Sequence, residues 1–176
     1  MHKQKCVFLD RDGVLNRELG GYAYKLEEFE VLPRVPEALA LLKQHGYLLI
    51  VITNQSGISK GIFTKEDVLA CHQKLQDSCD SLIDDIYFAP GHHTISASLS
   101  RKPDSLMIER AMAKYHIDKN QSWMIGDVKR DIDAGKKAGV RTILVGEHHR
   151  AGTHQIQAKD LWEATQLILK DIKKPA

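Results

Sequence analysis

Short apolar runs alternate with helical patterns along the whole chain, and no repeat or low-complexity linker interrupts them. Cys6–Leu9 (CVFL) is apolar throughout, as a strand covered on both faces is. Tyr47–Thr53, Ile86–Ala89, Trp123–Ile125 and Thr142–Val145 give four further strand signals. Between them, Pro36–His45 reads as a helix: Val35, Leu39 and Leu42 share a face, Pro36 suits the first turn and Gly46 the stop. Thr64 opens a second helix with Asp67 at capping-box spacing, and Val68, Cys71 and Leu75 form its apolar stripe. Leu106–Tyr115, Ile132–Ala138 (stopped by Gly139) and Leu161–Ile172 complete the helices, while Gly146–Lys159 reads as loop. Strands separated by helices connect by right-handed crossovers. The expectation is therefore an α/β, doubly wound (Rossmann-like) parallel sheet with helices on both faces, residues 1–176 forming a single domain.

Composition narrows the function classes. The 176 residues are 43% apolar, enough for a sizeable core, and 25 Lys+Arg against 23 Asp+Glu leave a net charge of +2. That balance argues against a nucleic-acid groove or a basic membrane surface. The longest apolar run, Tyr47–Thr53, is far short of the roughly 20 residues of a spanning helix, and the first ten residues show no signal-peptide pattern. Cys6 falls in the first strand. Cys71 and Cys79, eight positions apart on one helix, are separated by about 12 Å along its axis, beyond the about 7 Å a disulfide spans. Reduced thiols, a cytoplasmic location and a small-molecule partner are expected.

In a doubly wound sheet, ligands collect beyond the carboxyl ends of the strands. There the sequence places Asp10-Arg11-Asp12-Gly13, Thr53-Asn54-Gln55-Ser56 and Gly126-Asp127, with Arg101-Lys102-Pro103 following the third strand. Asp10, Asp12 and Asp127 would repel one another without a cation among them, and an all-oxygen donor set suits Mg²⁺. Lys102, the ion and the Thr53 hydroxyl could together hold a phosphoryl group. The inventory suggests nucleophilic catalysis through an aspartyl-phosphate, with Asp10, last in its strand, as nucleophile and Asp12, on the turn, as acid/base. Asp131 and Asp133 are either first-turn acids of a helix or neighbours of the metal.

The segments FLDRDGVLN, ITNQSG, RKP and IGDVKRDIDAG, in this order, resemble the four motifs of the haloacid dehalogenase superfamily of phosphatases. Within it the chain is similar, from Cys6 to about Gly146, to the family of D-glycero-D-manno-heptose-1,7-bisphosphate and histidinol-phosphate phosphatases. The resemblance implies that Asp10 is the nucleophile, that Asp12 is the acid/base and lends a backbone carbonyl to Mg²⁺, and that Asp127 is a further metal ligand. Thr53 and Lys102 match the residues that stabilise the transferring phosphoryl group. Arg11, Gly21, Tyr22, Asn54, Gln55, Ser56 and Arg101 fall at substrate-binding positions, Arg101 facing a second phosphate. The implied reaction removes the 7-phosphate of heptose 1,7-bisphosphate; histidinol phosphate is the rival substrate. No large cap domain fits in this length, so the loops of Tyr22 and of Gly91–Arg101 must shield the site.

Two departures from the family stand out. The family's zinc loop carries Cys and His, whereas this chain has Ala89-Pro90-Gly91-His92 and Ser98-Leu99-Ser100, so His92 and His93 alone cannot complete a structural Zn²⁺ site and none is expected. Val128 stands where relatives can carry a lysine, leaving Lys129 as a candidate substitute. A receiver-type phosphoacceptor domain is the non-enzymatic alternative, but it needs an acceptor Asp after the third strand, where Ala89-Pro90 stand. His72, His116, His148, His149 and His154 read as surface residues, and Trp123 and Trp162 as packing residues.

Overall fold

The structure, a computed structural model, describes residues 3–92, 94, 98–146 and 156–172. Its elements in chain order are β1 (Cys6–Leu9), α1 (Val35–Gln44), β2 (Leu48–Asn54), α2 (Lys65–Ser78), β3 (Asp85–Ala89) and α3 (Leu106–Tyr115). There follow β4 (Trp123–Gly126), α4 (Lys129–Ala138), β5 (Arg141–Val145), β6 (Ile156–Ala158) and α5 (Leu161–Ile172). All strand pairings are parallel, in the order β3-β2-β1-β4-β5-β6.

Side chains of β1 alternate between two cores, as the pleat of a strand requires. Val7 and Leu9 pack under α1, α2 and α5, with Leu39, Leu42, Leu75 and Ile168. Cys6 and Phe8 pack on the other face under α3 and α4, with Ile108, Ala111 and Ala134. Helices thus cover both faces, the doubly wound arrangement that the alternation predicts. From β1 the chain builds outward through β2 and β3, then crosses back to β4 on the other side of β1. That reversal opens a crevice at the carboxyl ends of β1 and β4, and the loops carrying Asp10 and Asp127 leave the sheet there.

The capping box of α2 is present: Asp67 N–H donates to Thr64 Oγ1 (3.2 Å) and Thr64 N–H to Asp67 Oδ2 (2.8 Å). Two elements differ from expectation by more than one residue. Helix α4 starts at Lys129, a turn before Ile132, because its first turn is polar and capped from within by Asp131. Within the loop expected over Gly146–Lys159, Ile156–Ala158 forms a sixth strand beside β5. Three residues with an exposed Ile156 make no apolar run, so the neighbouring strand decides their conformation.

Among the histidines, His72 is buried rather than on the surface, its ring edge-on to Phe88, because α2 turns it inward. His116 is exposed, whereas His148, His149 and His154 lie outside the described residues. Trp123 is in the core, and Trp162 is half-buried beneath the Arg34 guanidinium. The three cysteines are buried and unpaired, Cys79 at the C-cap of α2. Among the described residues, no helix is long and apolar enough to cross a membrane.

Candidate active site

Asp10 leaves the end of β1 with its backbone N–H held by Ile125 of β4 (2.9 Å), which locks its position at the switch point. Lys102 arrives from the β3–α3 connection and is only 1% exposed. Its ammonium donates to the Ile52 carbonyl (2.7 Å) and forms ion pairs with Asp10 Oδ1 (2.7 Å) and Asp131 Oδ1 (2.8 Å). Asn54 clips Lys102 in place, donating to its carbonyl and accepting from its N–H, each at 3.0 Å. Asp131 is wholly buried and serves twice, pairing its Oδ1 with the Lys102 ammonium and accepting the Val128 N–H with Oδ2. Of the two alternatives for Asp131, helix cap and site residue, both hold at once.

Burial, and then the charge of Asp131, push the Asp10 carboxyl up to about 8 against the pull of Lys102. The same two causes, in the same order, raise Asp127 to about 6. For Lys102, burial alone would lower the ammonium, but Asp10 and Asp131 overcome it and hold the group above its ordinary range. The floor is therefore short of positive charge. Asp10, Asp127 and Asp131 each offer an oxygen within 4.8 Å of the others, a hard donor set that fits a divalent cation such as Mg²⁺. Gly13 keeps that cradle open: its φ is +83°, and a Cβ there would collide with the Asp127 carboxylate.

Asp12 is not in this carboxylate cluster. It lines the same cleft as Asp10, on the side that strand spacing predicts, while Arg11 between them turns away. Asp12 instead accepts from Arg11, from Asn16 Nδ2 (2.9 Å) and from Gln55 Nε2 (3.2 Å), with its side chain 23% exposed to the cleft. Gln55 Nε2 also donates to Thr53 Oγ1 (2.9 Å), linking the two predicted catalytic positions. Among the metal positions read from the sequence, Asp131 thus joins the cluster where Asp12 was expected, leaving Asp12 only its backbone carbonyl for that role. Arg11, expected at the substrate, is fully buried and faces away from the cleft.

Above the floor opens a cleft of about 440 Å³, within the size range of small-ligand sites. Gly21, Tyr22, Asn54, Gln55, Ser56 and Arg101 all line it, as the sequence predicts. Tyr22 packs edge-on to Phe63, with ring centroids 5.4 Å apart, and its hydroxyl is held below its usual range by hydrogen bonding to Lys60 first and Ser56 second. Lys60 and Arg130, missed in the sequence, complete the rim with Arg101. Burial, then the charge of Arg130, lowers the Arg101 guanidinium, so the two cations are neighbours. Among the described residues, no carboxylate pairs with Lys60, Arg101 or Arg130. Lys129 does not replace the missing lysine at Val128: it is 87% exposed and pairs with Asp133 at 2.6 Å. Arg130, one position on, is the side chain that turns to the cleft. His92 also lines the cleft, and His93 lies outside the described residues.

Known proteins agree with this geometry. Residues 99–174 match the family model described as HAD-hydrolase-like. A D-glycero-D-manno-heptose-1,7-bisphosphate 7-phosphatase of Chlorobaculum tepidum is 34% identical over 93% of this chain and 94% of its own length. The α-anomer enzyme of Photorhabdus laumondii is 39% identical, covering 95% of this chain and 98% of that protein. The β-anomer enzyme of Helicobacter pylori is 37% identical over 96% and 99%. Among solved structures, D,D-heptose 1,7-bisphosphate phosphatase from B. bronchiseptica, complexed with magnesium and phosphate, superposes with a TM-score of 0.85 at 26% identity, covering 96% of this chain and 99% of that one.

Proposed function

The chain belongs to the heptose-1,7-bisphosphate 7-phosphatase family of HAD-like hydrolases, and from that premise we propose that it hydrolyses the 7-phosphate of D-glycero-D-manno-heptose 1,7-bisphosphate in a Mg²⁺-dependent reaction. The observation that carries this reading is the buried Asp10–Lys102–Asp131 cluster beneath a rim of cations that pair with no carboxylate among the described residues. Two anionic groups on one substrate account for both levels of the cleft.

The Asp10 carboxylate attacks the phosphorus of the 7-phosphate, forming an aspartyl-phosphate as the bond to the sugar oxygen breaks. Asp12 gives its proton to that departing oxygen, so the sugar leaves as an alcohol. Asp12 then takes a proton from the water that attacks the same phosphorus, and Asp10 departs as a carboxylate with inorganic phosphate released. Lys102, paired with Asp10, and the Thr53 hydroxyl, lining the same cleft, steady the charge spread over the phosphoryl oxygens. Asp10, Asp127 and Asp131 would hold the Mg²⁺, which supplies positive charge to the phosphoryl oxygens and keeps Asp10 ionised. Arg101, Arg130 and Lys60 take the phosphate that is not transferred, and Tyr22 borders the sugar.

We read residues 1–176 as one catalytic domain, and the three unpaired thiols support a cytoplasmic setting. The receiver-type alternative lacks its acceptor at the end of β3, where Ala89 and Pro90 stand. Phosphate release from heptose 1,7-bisphosphate, histidinol phosphate and simple monophosphates, each with Mg²⁺, tests the substrate. The bisphosphate should give the highest kcat/KM; faster turnover of histidinol phosphate would overturn the assignment.

A further inference from the structure

Arg11 lies between the two catalytic aspartates, yet the mechanism above gives it no task. It is 0% exposed, so no substrate in the cleft can reach it. Its Nε donates to Asp12 Oδ1 (3.1 Å), and the two hydrogens of its Nη2 are shared among Asp12 Oδ1 (2.8 Å), Asp12 Oδ2 (3.1 Å) and the Ala23 carbonyl (2.7 Å). The guanidinium carbon stands 5.4 Å from the centre of the Phe29 ring. A fully buried guanidinium is costly unless a well-placed counter-charge meets it, and Asp12 is that charge.

Asn16 completes the arrangement. It too is 0% exposed, and its Nδ2 donates to Asp12 Oδ1 at 2.9 Å. The turn places it there: the Arg11 carbonyl accepts from the N–H groups of Val14, Leu15 and Asn16, winding the chain back over Asp12. Three N–H groups therefore converge on Oδ1 and two on Oδ2, so Oδ1 is the more firmly held oxygen. Oδ2 receives only one arm of the Arg11 fork and Gln55 Nε2, whose other contact is Thr53 Oγ1 on the phosphoryl side.

We propose that Arg11 and Asn16 form a buried clamp that fixes the Asp12 carboxylate through Oδ1, so that Oδ2, on the Gln55 side, is the oxygen held towards the cleft. Both are positioning residues that act through Asp12. The inference rests on Asp12 being the general acid/base. An unclamped carboxylate rotates about two side-chain bonds, and a displacement of about 1 Å at a reacting group can cost on the order of 100-fold in rate.

Leaving-group chemistry separates this from a merely structural role. Departure of a sugar alkoxide needs a proton, whereas p-nitrophenolate leaves readily without one. The readout is therefore the ratio of kcat/KM for heptose 1,7-bisphosphate to that for p-nitrophenyl phosphate. It is measured in the intact protein with Mg²⁺ and in Arg11→Lys, Asn16→Ala and Asp12→Asn. Arg11→Lys keeps the charge and removes the fork, while Asn16→Ala unpairs no charge and serves if Arg11→Lys does not fold by circular dichroism. Asp12→Asn should lower the ratio by about 100-fold or more, and each clamp variant by about tenfold or more. A lowered ratio in Asp12→Asn with an unmoved ratio in the folded clamp variants overturns the clamp alone. An unmoved ratio in Asp12→Asn overturns the acid/base role and the clamp with it.

Discussion

The floor and the rim of the cleft are both lined with charge, but the charges are satisfied in opposite ways. On the floor, Asp10, Lys102 and Asp131 are at most 5% exposed, and the ammonium is held between two carboxylates and a backbone carbonyl of the protein itself. On the rim, Lys60 and Arg130 are exposed, Arg101 donates to the Gly91 carbonyl, and no carboxylate pairs with any of the three among the described residues. Water solvates the rim, so unpaired cations cost little there and stay available to a ligand. The dry floor tolerates charge only in a fixed constellation, which is the preorganisation that stabilises a transferring phosphoryl group. On the proposed function, chemistry belongs to the buried level, and choice of substrate to the wet one.

Substitutions should respect this division. Asp10→Asn removes the nucleophile and should lower phosphate release by at least about 10³-fold, with the variant still folded; near-normal turnover would break the assignment of chemistry to the floor. Lys102→Met strands Asp10 and Asp131 without their cation. It should cost about 3–5 kcal/mol in denaturant unfolding without Mg²⁺, whereas a loss below 1 kcal/mol would show that the floor does not depend on this pairing.

Behind the floor, burial first and then the charge of Arg11 hold His72 down to about 4 from its usual 6.5, with Asp12 opposing. The unfolded chain therefore binds this proton more readily. The contribution is fully present above pH 6.5 and is lost as the pH falls towards 4, by up to about 3 kcal/mol. Unfolding free energies across that range should fall less steeply in His72→Leu than in the parent; parallel curves would refute this. The smallest effects belong to the rim. Arg101→Ala and Arg130→Ala should each raise KM for the bisphosphate by about tenfold, equivalent to about 1.4 kcal/mol, and leave KM for a simple monophosphate unmoved. An equal rise for both substrates would place these cations at the transferred phosphate instead.

Most of the floor was legible because its residues stand at the ends of strands. Apolar runs mark β1, β2 and β4, and the polar residues that interrupt them (Asp10, Thr53 and Asp127) must emerge at the same edge of a parallel sheet. Asp131 was half legible. Its spacing from Val128 reads as a helix cap, which it is, but nothing in that spacing shows the second bond to Lys102. The period of two already turns Arg11 away from Asp10 and Asp12; its place at the substrate came from the motif resemblance alone, which does not show which side of the turn is buried. The strand Ile156–Ala158 was missed because too few apolar residues mark it; β5 supplies the ladder that defines it.

Local order and motif spacing determined by themselves the alternation of strands and helices, the edge of the sheet where ligands bind, and the phosphoaspartyl chemistry expected there. These follow from periodicity and from residue types at strand ends, which are properties of neighbours in the chain. Only the tertiary structure decided the burial of Arg11, the double use of Asp131, the outward turn of Lys129 and the convergence of Lys60, Arg101 and Arg130. These depend on distances between segments tens of residues apart, and on which side of each turn water is excluded.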